Sequence, residues 1–172
     1  MEVEEFKKTI LPLRDKLFRV GLRIVRSRSE AEDIVQDVMM KVWDMREEWE
    51  GVANKEAYCM TMARNLAFSR IELKENQNVG LDVNYEDRKA ADSPAEVVEK
   101  EEHLRLLRKL INDLPEKQRS VMQLRDIEGM SYQEIEQILQ ITEEQVKVNL
   151  FRARREIKEW FLKIENYGIR EN

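Results

Sequence analysis

The sequence predicts an all-α protein made of two small helical domains joined by a flexible acidic linker, and three observations carry that expectation. Only 5 Gly and 3 Pro occur in 172 residues, too few to supply the turns of a many-stranded sandwich or barrel. Hydrophobic residues reach 42%, enough to bury a core although 38% of the chain is charged. The apolar residues recur in runs at three- and four-residue spacing, which lines one face of a helix.

The first run is Phe6, Ile10, Leu13, Leu17, Val20 and Ile24, with Pro12 inside it. Proline lacks the backbone donor that a helix interior needs, so the helix should kink or restart there. Ser29-Glu30-Ala31-Glu32 has the form of a capping box and places Ser29 at the N-cap of a second helix. The buried stripe of that helix is Ala31, Ile34, Val35, Val38, Val42 and Met45. Trp49 and Gly51 fall in a loop. Asn54 is suited to cap a third helix, expected from Lys55 to about Leu73, with Tyr58, Met62 and Leu66 as its apolar face. From Glu75 to Asp92 the chain is polar and lacks sustained helical periodicity, as a tether would.

The second module opens on Ser93-Pro94-Ala95-Glu96, a capping box with proline at the first helical position. Leu104, Leu107, Ile111 and Leu114 follow as a stripe that Pro115 ends. A short helix from Glu116 should stop near Gly129, because glycine commonly follows a helix C-terminus. Two further capping boxes pair Ser131 with Glu134 and Thr142 with Gln145, and only Gln140-Ile141-Thr142 separates the helices they start. That arrangement fits a helix-turn-helix, although αα-hairpins of plain bundles share the spacing. The last helix buries Val146, Leu150, Ala153, Ile157 and Phe161. The expected organisation is therefore residues 1–74, a linker over 75–92, and residues 93–172.

A net charge of −5 weighs at first sight against nucleic-acid binding. Its distribution matters more. Residues 1–74 balance 14 basic against 14 acidic side chains, residues 75–102 carry 3 against 9, and residues 103–172 carry 13 against 12. The acidity belongs to the stretch around the tether. No apolar run approaches the roughly 18 residues of a membrane span, and Met1-Glu2-Val3-Glu4-Glu5 lacks the start of a secretory signal, so a cytoplasmic protein without membrane insertion is expected. One cysteine, Cys59, excludes a disulfide framework, and one histidine, His103, leaves familiar zinc sites out of reach. Cys59 reads as a small buried hydrophobe and His103 as a surface residue. No set of nucleophile, base or metal ligands appears, so neither an enzyme, a cofactor nor a small-molecule substrate is expected.

Three patterns carry candidate chemistry. Lys147, Asn149, Phe151, Arg152, Arg154, Arg155 and Lys158 occupy the open surface of the last helix near its N-terminal half. A helix N-terminus with basic and polar side chains suits the DNA major groove, where amides and arginines hold phosphates and other groups reach base edges. The alternative is a solvated face on a bundle helix. In the second helix, Asp33, Gln36, Asp37, Met40 and Asp44 share a face about 100° from the buried stripe, suited to dock on a partner's basic helix. Ordinary solvated surface is the alternative here too. Trp49 and the segment from Tyr58 to Asn65 offer aromatic and polar contacts to unstacked bases, against the alternative that Trp49 and Tyr58 close the core.

Several stretches together resemble a known family. Ala31-Glu32-Asp33-Ile34-Val35-Gln36-Asp37-Val38 with Lys41-Val42-Trp43 resembles the polymerase-docking helix of extracytoplasmic-function (ECF) sigma factors of the sigma-70 family, and Ala63-Arg64-Asn65-Leu66-Ala67 resembles their next helix. Leu114 through Arg119, Glu128 through Ile135, and Val146 through Arg154 resemble their C-terminal helix-turn-helix domain. The resemblance spans nearly the whole chain in the family's order. It implies an alternative sigma factor, a specificity subunit that brings core RNA polymerase to −10 and −35 promoter elements without catalysis of its own.

By the same resemblance, Asp33, Gln36, Asp37 and Met40 would dock on the clamp helices of the largest polymerase subunit, with the flap of the second-largest subunit as a further contact. The loop from Arg46 to Lys55 would meet the −10 element, where Met45, Trp49, Met60 and Asn65 would receive a flipped base beside Lys55 and Arg64. Lys147, Asn149, Phe151, Arg152 and Arg154 would read the −35 duplex, with Tyr132 and Gln133 bracing its backbone. An anti-sigma factor would be a partner as well. Four positions depart from the family pattern. Ser69 stands where aspartate is common, and Glu72 lies in a usually more basic stretch, which implies weaker electrostatic help in strand opening. Glu136 replaces a small residue between the paired helices, and Gln140 replaces a turn glycine suited to positive φ. Two rival readings are a regulator that binds DNA through the helix-turn-helix alone and a decoy that docks without reading promoters.

Overall fold

A computed structural model describes the backbone of residues 1–76 and 95–168, and side-chain surroundings for 1–75 and 104–163. All regular elements among the described residues are helical, and the chain divides into two compact units. Most of the expected tether, with Ser93 and Pro94 of the capping box that opens the second module and with His103, lies outside the residues described to this extent.

In the first unit, α1 (Val3–Thr9) is followed by a tight helical turn at Leu11–Leu13 and by α2 (Arg14–Val25). Pro12 sits in that turn, and Leu13 N donates to Ile10 O at 3.0 Å before the helix restarts. The missing proline donor thus falls at a helix start, where it costs least. Helix α3 (Arg28–Asp44) and helix α4 (Lys55–Asn76) both pack on α2. Gly21 of α2 faces α3, with the Ile34 side chain 3.6 Å from where a Cβ would stand. Ile10, Leu17, Ala31, Ile34, Val38 and Val42 are fully buried, as the periodicity predicts.

Two expectations for this unit are corrected. Helix α3 starts at Arg28 with Ser27 at its N-cap, so Ser29 lies inside the first turn and Glu32 accepts from Arg28 Nε at 3.0 Å instead of closing a capping box. The buried side of α4 is Ala57, Met60, Ala63 and Ala67, with Cys59 beside them. Tyr58, Met62 and Leu66 flank that side, about one residue's turn of 100° away. Alanines let α4 lie close to its neighbours, and large side chains suit the margins of such a contact. Asn54 caps α4 as expected, its Oδ1 accepting from Ala57 N at 2.9 Å.

The second unit comprises α5 (Ala95–Asp113), α6 (Glu116–Met122), a wide π turn at Gln123–Ile127, α7 (Tyr132–Leu139) and α8 (Glu143–Gly168). Helix α6 packs along α8, and Val121, Leu124, Met130, Ile135, Val146 and Ala153 fill the space between the helices. Leu104 is half exposed, so the stripe predicted for α5 is buried only toward its end at Leu114. Gly129 takes φ +74°, ending the α6 segment as expected.

Both capping boxes of the helix pair form. Ser131 Oγ accepts from Glu134 N at 3.2 Å while Glu134 Oε2 accepts from Ser131 N at 2.7 Å. Thr142 and Gln145 make the same reciprocal pair at 3.3 and 3.1 Å. Between them Gln140 takes the left-handed conformation, φ 54° and ψ 46°, in place of the glycine that such a position favours.

Candidate functional site

On α3, Asp33, Gln36 and Met40 are exposed and Asp37 is half-buried, so the predicted stripe exists as a surface. Met40 is 64% exposed, an apolar side chain presented to solvent between polar neighbours. The sequence offered no sign of what α4 adds to this face. Arg70 reaches across, its Nη2 donating to Asp37 Oδ2 at 2.7 Å and its Nη1 lying 3.5 Å from Asp33 Oδ2. Lys74 forms an ion pair with Glu30 one turn further on. The carboxylates of α3 are thereby held from one side by α4.

The residues assigned to an unstacked base divide. Trp49 and Met60 are fully buried. The physical reason is local: a short helical turn at Trp49–Gly51 brings the indole against α4, where it meets Tyr58 edge to face at 6.0 Å. Tyr58 is the aromatic that reaches solvent at this corner, 40% exposed. Met45 is half-buried at the end of α3, Asn65 is exposed, and Arg64 stacks over the Phe68 ring at 4.7 Å. Lys55 Nζ stands 3.4 Å from Glu5 of α1.

The residues assigned to duplex DNA come together most completely. Tyr132 at the start of α7 lies between Arg125 and Lys147, whose charged groups stand 4.9 and 5.8 Å from its ring centre. Lys147, Phe151 and Arg154 recur on one side of α8 and, with Tyr132 and Leu150, line an open depression of about 540 Å³. Phe151 is 65% exposed, and Gln133 and Arg152 are exposed as well. Asn149 is tied back to its own helix, its Nδ2 donating to Gln145 O at 2.8 Å. Lys147 pairs with Glu143 at 2.6 Å, and this hydrogen bond raises the affinity of its amine for a proton. Arg154 donates to Asp126 from both Nε and Nη2, at 3.0 and 2.5 Å, which likewise strengthens its hold on its charge.

Asp126 and Arg125 come from the π turn, far from α8 in sequence, and no local pattern marks them as members of this surface. Cys59 is buried as expected, and burial, with the Glu56 carboxylate as a second cause, pushes its thiol from 9.0 to about 12. Among the described residues no cluster of acidic, histidine or cysteine side chains has the form of a metal site. No described helix is long and apolar enough to cross a membrane.

Comparison with known proteins places both units. A family described as Sigma-70 region 2 matches residues 10–75, and one described as Sigma-70, region 4 matches residues 104–157. The RNA polymerase sigma-H factor of Pseudomonas aeruginosa is 26% identical over 161 residues, covering 88% of this chain and 83% of that protein. The ECF RNA polymerase sigma-E factor of Haemophilus influenzae is 26% identical over 141 residues, covering 77% and 75%. In fold, the chain is similar to the sigma factor RpoE of Bartonella quintana, solved in complex with the anti-sigma factor NepR, with a TM-score of 0.68 at 24% identity over 91% of this chain and 96% of that one. With regions 2 and 4 in order and sigma-factor relatives along most of its length, the chain belongs to the ECF sigma factors of the sigma-70 family and is an alternative sigma factor that directs promoter-specific transcription by RNA polymerase.

Proposed function

We propose that residues 1–74 bind core polymerase and open the −10 region, that residues 75–92 link the modules, and that residues 93–172 read the −35 duplex. The grouping of Tyr132, Lys147, Phe151 and Arg154 around one open surface at the start of a capped helix carries this reading furthest. Lys147, Arg152 and Arg154 supply phosphate and base-edge donors, Asn149 and Phe151 supply polar and apolar contacts, and Tyr132 and Gln133 brace the backbone. Asp33, Gln36, Asp37 and Met40 dock on the clamp helices of the largest subunit, since acidic groups around an exposed methionine suit a basic helix. Lys55, Arg64 and Asn65 meet the melted −10 strand with Met45, while buried Trp49 and Met60 form the floor behind them.

As a specificity subunit the protein performs no chemistry of its own and works in the cytoplasm beside the polymerase. Because a structural neighbour is bound to an anti-sigma factor, an inhibitor that covers the docking and promoter-reading surfaces is a fitting partner. Runoff transcription on a library of promoter fragments, with cognate core polymerase, tests the proposal. Initiation at a defined promoter set only when both components are present is expected, and loss of that set on Arg152→Ala or Asp33→Ala is expected with it. Initiation unchanged by these substitutions would overturn the residue assignments.

A further inference from the structure

Arg154 is fixed by a residue from a different element. Its Nε and Nη2 both donate to the Asp126 carboxylate, 28 residues earlier in the chain. Asp126 lies in the π turn Gln123–Ile127, where Glu128 N donates to Gln123 O five residues back, at 3.0 Å. Such wide turns inside helical segments recur at functional sites. A guanidinium carries five N–H donors in a planar fork. The pair with Asp126 uses the Nε–Nη2 edge, which leaves the end of the fork, both Nη1 hydrogens and the second Nη2 hydrogen, for another acceptor. An end-on pair of this kind matches guanine O6 and N7.

Resting on the reading of Arg154 as a −35 contact, we propose that Asp126 is a positioning residue for promoter discrimination, locking the Arg154 guanidinium so that its free end meets the duplex. Removing the carboxylate has two opposed consequences, and their opposition makes the role measurable. Loss of a negative charge beside DNA favours binding to every sequence through the phosphates. Loss of the lock frees Arg154 to sample other rotamers, which lowers discrimination between bases. A carboxylate that only supported the fold would shift thermal stability and leave base preference where it was. The Asp126 side chain is 30% exposed, so its replacement leaves the core in place.

The test uses holoenzyme reconstituted from the full chain and core polymerase, on promoters with each −35 base pair substituted in turn. Asp126→Asn, Asp126→Glu, Arg154→Ala and the Asp126→Asn/Arg154→Ala double variant are compared, with thermal unfolding of each. In Asp126→Asn, preference at one or more −35 positions is expected to fall by about fivefold or more, while non-preferred sequences bind as well or better. Asp126→Glu, which keeps a carboxylate, should retain more of the preference. Arg154→Ala should remove the same preference, with no further loss in the double variant. If Arg154→Ala loses a preference that Asp126→Asn keeps, the positioning role is overturned and the reading of Arg154 stands. If Arg154→Ala keeps every preference, that reading fails and the inference falls with it.

Discussion

Gln140 occupies the turn of the helix pair at φ 54°, a conformation whose steric cost for a residue with a Cβ is about 1 kcal/mol. Gln140→Gly removes that contact and adds unfolded-state freedom, so a gain of up to about 1 kcal/mol is expected in denaturant unfolding. A loss would mean that the glutamine side chain supports the turn. Cys59 gives a prediction of opposite character. Its thiol is raised to about 12 in the folded protein, so the unfolded chain releases this proton at lower pH than the folded one does. The associated stability is complete below pH 9 and falls as pH rises toward 12, by at most about 1.4 kcal/mol per unit. Thermal unfolding between pH 8 and about 11 should therefore decline more steeply than in Cys59→Ala, since other groups titrate alike in both. Parallel slopes would refute the shift.

Helix starts separate according to whether their caps are made. Ser131→Ala removes an acceptor from a reciprocal pair and should cost about 1 kcal/mol. Ser29→Ala should change stability by less than about 0.5 kcal/mol, because Ser29 lies inside α3 and caps nothing there. Equal losses on urea unfolding would contradict this assignment of α3. Both sites have the same sequence form, Ser followed at the fourth position by Glu, so only the structure tells them apart. At Ser131 the preceding Gly129 ends one segment and leaves a free helix start. Before Ser29, Arg26 already turns the chain at φ 54°, which brings the next helix in two residues early. Helix α4 shows the same limit. Its alanines and its larger apolar residues offer two candidate faces, and close packing on α2 selects the alanines.

Across the whole molecule, charge is nearly balanced within each module, and three of the cations proposed to meet DNA are paired: Lys55 with Glu5, Lys147 with Glu143, Arg154 with Asp126. The free protein is therefore expected to bind −35 duplex no more tightly than about micromolar at physiological salt, with affinity supplied in the holoenzyme. Nanomolar binding without polymerase would favour a self-sufficient regulator. The helical class, the restart at Pro12, the capped helix pair and the candidate surfaces of α3 and α8 were legible because each depends on periodicity or on contacts within four residues. The burial of Met60 was not legible and that of Trp49 stood as one of two readings, since burial of a large side chain depends on which neighbours enclose it. What the amino-acid order determined by itself was the set of helices, most of their apolar faces and the family to which their motifs belong. Only the tertiary structure decided that Arg70 holds Asp37 and that Asp126 holds Arg154, because these partners lie 33 and 28 residues apart and meet solely through the packing of one helix on another.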